Sequence, residues 1–408
     1  MAVCGKLLVG ILSILVVLLA ILLQGPVFKG TLTKPLPKQL PNKSETRLLL
    51  VALDVMTETS ALLSNLGFGK EMELRRKLTD MAVPTPDYSG LRVTNTVMDG
   101  IKVRVYEPED DKENKPGIVF YHGGGWHWGS IDTHDIIART VAARVGAVVV
   151  NVDYRLAPEY PYPVPLEDCE KATKYFLRNA HDYGVDDTRI AIAGDSAGGN
   201  LAAAVALKLR DTKFPIQPKL QILVYPLLQG VDLYLPSYIQ NNGLVYGDRQ
   251  GLALACVHYG NLGTKIIPAI VANNHTSLSD KEKYQKLLSL KTLPSKFTAN
   301  VEIPSLHDGD TRLRNKVNRF FADPYVFPLM EANLEDLPEA YISTAEYDIL
   351  RDEGVLYAER LKQAGVRVTW HHIEDGFHGI WNHIQPPLII ESGVQMMDHL
   401  IDYLLKTL

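Results

Sequence analysis

Cysteine is scarce in this chain: Cys4, Cys169 and Cys256 are its only thiols in 408 residues. That excludes a disulfide-stapled framework and leaves room for at most one internal bridge. An excess of positive charge is missing as well, the formal net charge being -5. Without a basic surface to track phosphates, nucleic acid is not an expected partner. No segment of roughly 20 to 50 residues recurs, which excludes a solenoid or propeller. What remains is an ordinary globular composition, 46% hydrophobic and 22% charged. The chain is long enough for one large α/β domain with attachments, or for two domains.

One apolar run stands apart. From Leu7 to Leu23 no residue is charged and only Ser13 is polar. As a helix this run would span about 25 Å at ~1.5 Å per residue, enough for a thin membrane such as the endoplasmic reticulum. A cleaved signal peptide is the rival. The run exceeds the roughly 15-residue apolar core of such peptides, and LLQGP lacks the small-x-small pattern of a cleavage site. Residues 1–24 are therefore expected to be an uncleaved membrane anchor, with Cys4 beside it a candidate for acylation. Lys6 and the amino terminus argue for a cytosolic start, whereas Lys29, Lys34 and Lys38 on the far side argue against it. Two sequons, at Asn42 and Asn274, are compatible with a lumenal body and are the candidate glycosylation sites.

Beyond the anchor, short β-branched runs read as buried strands over residues 103–108, 117–122, 147–154, 189–195, 220–226, 339–348 and 366–373. Helical patterns such as LEDCEKATKYFLRNA and GVLYAERLKQAG sit between most of them. That alternation predicts an α/β fold with a mostly parallel sheet covered on both faces. Two regions interrupt it. Residues 25–95 open with a Pro- and Lys-rich stretch expected to be extended, followed by the apolar helix TRLLLVALDVMTETSALL. A helix of this kind can lie in a membrane surface, but burial against the body is the expectation here. Residues 228–325 form a long excursion between core strands, expected to be a cap insertion. The catalytic domain is assigned to residues 96–408, roofed by both regions.

Gly194-Asp195-Ser196-Ala197-Gly198 lies between a predicted strand and a predicted helix, the context a nucleophile elbow requires. Serine needs a base to accept its proton. On this fold the acid and then the histidine follow the serine in the chain. Asp348, at the end of a strand, and His378, just after the last strand, are the candidates. Asp352 competes with Asp348 for the acid role, or caps the following helix. The triple glycine after His122 answers a separate need. A tetrahedral oxyanion must be met by preorganised N–H groups. Gly124 and Gly125, Gly123 to a lesser degree, and Ala197 after the nucleophile are the candidate donors. Trp126 and Trp128 fit an acyl pocket and a packed core equally well. His371 and His372 are adjacent on a strand and point to opposite faces, so they make a poor chelate with His378. No metal or organic cofactor is expected.

His122-Gly-Gly-Gly125, Asn151 to Glu159 (NVDYRLAPE), Gly194 to Asn200, Asp348 to Glu353 and Asp375 to Gly379 together resemble the hormone-sensitive-lipase group of α/β-hydrolases. Within that group the chain is similar to the branch of arylacetamide deacetylase and neutral cholesterol ester hydrolase. The resemblance implies an α/β-hydrolase fold, a triad of Ser196, Asp348 and His378, and an oxyanion hole from the HGGG loop and Ala197. It implies that Asp153, Tyr154 and Arg155 hold the core together. It also implies a serine esterase of lipophilic esters, or of aryl acetamides, in the endoplasmic reticulum membrane. The expected topology is single-pass type II with a lumenal catalytic domain and no obligate protein partner. Where the branch carries a cysteine after HGGGW and another three residues before the acid, this chain has His127 and Ala345. That bridge cannot form here. An amidase or peptidase on the same fold is the main alternative. A non-catalytic binding protein is far less consistent with an intact serine, acid and histidine.

Overall fold

Each β-branched run becomes one strand of an eight-stranded sheet ordered β1-β2-β4-β3-β5-β6-β7-β8. In this computed structural model the described residues are 26–110, 112–310 and 317–408. The apolar run Leu7–Leu23 and Cys4 lie outside them. The strands are β1 (Leu91–Met98), β2 (Ile101–Pro108), β3 (Lys115–Tyr121), β4 (Val148–Val152), β5 (Val185–Asp195), β6 (Leu220–Val224), β7 (Glu339–Tyr347) and β8 (Val368–Phe377). The pairs from β4 through β8 are parallel, whereas β1 with β2 and β2 with β4 are antiparallel. Every residue of β4 and β6 is buried, as expected when helices cover both faces. Successive residues of β3 feed opposite cores: Val119 and Tyr121 pack on one side, Ile118 and Phe120 on the other.

Strand β1 escaped sequence reading for a physical reason. It is an edge strand whose residues between Leu91 and Met98 are all exposed or half-buried, so LRVTNTVM mixes polar with apolar residues instead of forming an apolar run. The sheet thus begins at Leu91, ahead of residue 96. Residues 26–33 also differ from expectation. Pro26–Thr33 is an eight-residue helix (α1), not extended chain. Pro35 disfavours helical backbone at Lys34. The guanidinium of Arg47 caps the helix end by donating to the carbonyls of Thr31, Leu32 and Lys34 at 2.6, 2.7 and 2.8 Å. Helix α2 (Lys43–Asn65) and helix α3 (Glu71–Met81) follow as a hairpin. Of the 23 residues of α2, only Thr46, Leu49, Leu50 and Ser60 are buried. Burial, the expectation for this helix, holds for one face alone.

Helix α4 (Asp135–Val145) covers one face of the sheet; α5 (Val164–Arg178) and α6 (Ala197–Asp211) cover the other. Twelve of the fifteen residues of α6 are buried, and its small Ala and Gly side chains permit that close packing. Residues 228–325 follow β6, and their described part, 228–310 and 317–325, contains short helices. They include α7 (Pro236–Gln240) and α8 (Arg249–Tyr259). Asn200, one turn into α6, fastens both ends of this excursion. Its buried Nδ2 donates to Leu227 O at 2.8 Å and to Val326 O at 2.7 Å. Helix α9 (Arg351–Gln363) links β7 to β8, and α10 (Glu391–Thr407) closes the chain.

Asn200→Ala leaves two buried carbonyls without a donor. It should cost about 2 to 4 kcal/mol of stability, read as a lower midpoint in urea denaturation with an unchanged slope.

Candidate active site

Strand β5 runs into α6 through Ser196, whose φ of +55° and ψ of −120° are strained for a side chain with a Cβ. Such a conformation costs about 1 to 3 kcal/mol and persists because its neighbours leave no alternative. A Cβ on Gly194 would lie 2.3 Å from the Gly198 backbone; one on Gly198 would lie 2.0 Å from Tyr121 O. Glycine on both sides is what lets the turn close over β3.

From that turn Ser196 Oγ lies 2.8 Å from His378 Nε2, and His378 Nδ1 lies 2.8 Å from Asp348 Oδ2. Asp348 is fully buried, and its Oδ1 accepts the Leu350 amide at 2.8 Å. All three residues sit at carboxyl ends of parallel strands, the edge where open α/β sheets bind ligands. The rings of Tyr225 and Tyr246 flank the imidazole at 4.8 and 6.3 Å between centroids. Asp352, the competing acid, points elsewhere. It accepts Arg351 Nε at 2.9 Å and the Ser237 amide at 2.7 Å, near the start of α7. Its neighbour Glu353 accepts the amides of Leu228 and Gln229 at 2.5 and 3.1 Å. One short turn thus supplies an acid to the histidine and two carboxylates to the root of the excursion.

The glycine loop shows both reasons for having no side chains. Gly124 and Gly125 have φ of +114° and +60°, and a Cβ on Gly124 would come within 2.1 Å of Trp128 O. The amides of Gly124, Gly125 and Ala197 donate to no acceptor among the described residues. For Ala197 this follows from its place as the first residue of α6, where no intrahelical acceptor exists. Gly123 differs from the other two loop glycines. Its amide donates to Asp195 Oδ1 at 2.9 Å, so it is not free to meet an oxyanion, and its membership of that hole is corrected.

Asp195, between Gly194 and the serine, was not singled out from sequence. It is buried, holds the Gly123 amide and lies 3.4 Å from His134 Nε2. Burial pushes its carboxyl up, but His134, His122 and His378 outweigh burial and hold it below its ordinary value. The only sequence signal was a carboxylate at the middle of an otherwise small-residue turn. Tyr154 fixes the loop from behind, donating to His122 O at 2.7 Å and stacking on the His122 ring. Arg155 grips Asp168 through Nε at 2.8 Å and Nη2 at 2.6 Å.

Two coverings meet the loop from outside. From α8, the His258 Nδ1 lies 2.6 Å from His127 Nδ1, and Tyr259 stacks on Trp126 at 4.3 Å. A hydrogen bond between two ring nitrogens needs one donor and one acceptor, so at least one of the rings is neutral. Burial lowers both histidines, His127 to about 3. From α3, Arg76 donates to His127 O at 2.9 Å and to Ala157 O at 2.6 Å. Trp128 Nε1 donates to Thr79 Oγ1 at 2.9 Å. Trp126 is therefore core, and Trp128 docks α3.

Cys169 and Cys256 are both buried free thiols. His371 stacks on His399 at 3.5 Å, while His372 bonds Thr344 and Glu346 on the other face of β8. Glu346, His372 and Glu374 bring ligand atoms within 4.8 Å of one another, yet Lys296 already neutralises Glu374 at 2.5 and 2.7 Å. An open groove of about 520 Å³ lined by Glu335, Asp336 and Arg367 lies at the amino edge of the sheet, away from Ser196.

Burial opposes a proton on His378, but the Asp348 carboxylate and its hydrogen bond, then Asp195 and Glu353, raise its pKa above 6.5. A base must be unprotonated, so kcat/KM for a soluble short-chain ester should fall with acid through one ionisation centred above pH 6.5. Asp195→Asn removes a negative charge that favours imidazolium and should move that midpoint to lower pH. Steady-state rates between pH 5 and 9 (about the range His titrates in) check both; a flat profile would refute the assignment of the base. Arg76→Ala should loosen the loop and cut kcat about tenfold to a hundredfold without unfolding the protein. Arg76→Lys should recover only part of that loss, because the fork of donors is gone.

Comparison with known proteins agrees with this geometry. The family described as alpha/beta hydrolase fold matches residues 118–259 and 309–382. Neutral cholesterol ester hydrolase 1 of Bos taurus is 38% identical over 326 residues, covering 77% of this chain and 80% of that protein. Arylacetamide deacetylase of Oryctolagus cuniculus is 37% identical over 356 residues, covering 85% and 89% respectively. Among solved structures, a bacterial heroin esterase is similar with a TM-score of 0.63 at 26% identity, over 83% of this chain and 92% of that one. An esterase of Pyrobaculum calidifontis has a TM-score of 0.60 at 30% identity, over 82% and 92%.

Proposed function

Since the chain belongs to the α/β-hydrolase fold family and is a carboxylic-ester hydrolase, we propose that Ser196, His378 and Asp348 are its nucleophile, base and orienting acid. The Ser196–His378–Asp348 chain of two 2.8 Å contacts carries the reading. His378 Nε2 takes the Ser196 Oγ proton as Oγ bonds the ester carbonyl carbon. The amides of Gly124, Gly125 and Ala197 meet the oxyanion, each worth about 3 to 4 kcal/mol in the transition state. His378 then gives its proton to the leaving alkoxide, and the acyl-enzyme forms. Water, deprotonated by the same imidazole, attacks the acyl carbon, and the proton returns to Ser196 as the acid leaves. Asp348 keeps Nδ1 protonated and stabilises the transient imidazolium. No metal or organic cofactor takes part in these steps.

The substrates are small lipophilic esters, in keeping with the names of the relatives, and the site lies beneath a roof built from residues 25–95 and 228–325. Residues 1–24 anchor the enzyme in the endoplasmic reticulum membrane as a single-pass type II protein with a lumenal catalytic domain. Asn42 and Asn274 are its glycan acceptors, a reading helped by Asn42, whose Oδ1 accepts the Glu391 amide at 2.9 Å while its Nδ2 donates to no acceptor among the described residues. Ser196→Ala should lower kcat for an aryl acetate by about 10⁶ while circular dichroism and the melting temperature stay unchanged. Retained turnover would refute the nucleophile. An amidase reading predicts that an acetanilide is turned over as fast as the matching acetate, which a paired assay decides.

A further inference from the structure

Helix α2 is apolar on the face it turns to solvent. Leu49, Leu50 and Leu53 face inward and join the core that includes Val245, Ile380 and Trp381. Arg47, Asp54 and Glu58 line one flank at helical spacing. The positions Leu48, Ala52, Val55, Thr59, Leu62 and Leu66 recur at intervals of four and three; Leu48, Ala52 and Leu66 are exposed and the other three half-buried. A surface helix in water places polar residues there. The three most exposed large apolar side chains of the described residues adjoin this stripe: Met81 at 82%, Phe68 at 70% and Leu66 at 62%. Leu66 and Phe68 sit at the corner between α2 and α3. Met81 ends α3, beside the middle of α2, where Thr79 Oγ1 contacts Met56 Sδ at 2.8 Å.

We propose that this stripe rests on a lipid bilayer, so that α2 lies along the membrane surface as a second contact beside the amino-terminal apolar run. By length and composition α2 is apolar enough to cross a membrane, but its inward face is committed to the protein core and its flank carries Asp54 and Glu58. It therefore lies on the bilayer and does not span it. The occupant follows from three observations. The uncharged run ends at Leu23, three residues before α1 begins at Pro26. Helix α1 is about 12 Å long at ~1.5 Å per residue, and Arg47 ties its end to the second turn of α2. Any bilayer that receives the run is thus close to α2. Residues 26–70 also carry six basic and three acidic side chains, a local +3 in a chain of net charge -5, so this end is not repelled by the phosphates of lipid head groups. The contact does not depend on the hydrolase reading. Its consequence for turnover does, because α2 packs on α3, which holds the HGGG loop through Arg76.

The test uses full-length protein reconstituted in phosphatidylcholine and phosphatidylserine vesicles. In a Cys4→Ser background, with Cys169 and Cys256 buried, Phe68→Cys is labelled with an environment-sensitive fluorophore. Val97→Cys, on the exposed edge strand, is the control. Spin-labelled lipid should quench the label at 68 strongly and the label at 97 weakly. Equal access of iodide to both would overturn the proposal. So would cross-linking of a Leu62→Cys variant to a second copy at high lipid-to-protein ratio, since the stripe would then be a dimer interface. In parallel, the Leu62→Asp, Phe68→Asp double variant should keep its rate on a water-soluble acetate and lose about tenfold or more on a long-chain ester dissolved in the vesicles. An equal fall on both substrates would overturn the proposal, whereas loss of both activities only with Ser196→Ala bears on the hydrolase reading alone.

Discussion

The carboxylate of Asp195 joins the two halves of the site. It precedes the serine on one side and accepts the Gly123 amide on the other, so the elbow and the glycine loop hold one spacing. A single buried charge can do this because His134 stands beside it and supplies the compensation a buried carboxylate needs. The loop then keeps its remaining amides unspent, which is the condition for an electrostatic trap that requires no rearrangement during reaction. The strain at Ser196 and the bare glycines at 194 and 198 are consequences of the same crowding against β3.

Around that centre the coverings are held by polar contacts with few partners to spare. The turn after β7 divides its acids: Asp348 serves the imidazole, while Asp352 and Glu353 secure the root of the excursion. Asn200 clasps both ends of it from α6. Arg76 reaches from the amino-terminal hairpin to the loop that α8 grips from the opposite side. The shape of the space above the serine is thus set by three segments distant in the chain.

What could be read in advance follows from how local each signal is. The parallel strands were legible because strands buried on both faces are unbroken apolar runs. Strand β1 was not, since an edge strand mixes polar and apolar residues. Ser196, Asp348 and His378 were legible from order and context, as each directly follows a strand. Asp195 and Glu353 were not, because their partners lie 72 and 125 residues away and nothing local marks a buried carboxylate. The same holds for Gly123, whose amide is consumed by a residue outside its own motif. For α2, an apolar stripe announced a helix but not which of its faces the body would cover.

The loop of bare amides is kept in register by carboxylate, imidazole, guanidinium and aromatic contacts, and the two thiols in the described body are free and buried. Among the described residues no disulfide shapes the chamber. The geometry of the chamber is therefore built on non-covalent contacts throughout the described residues.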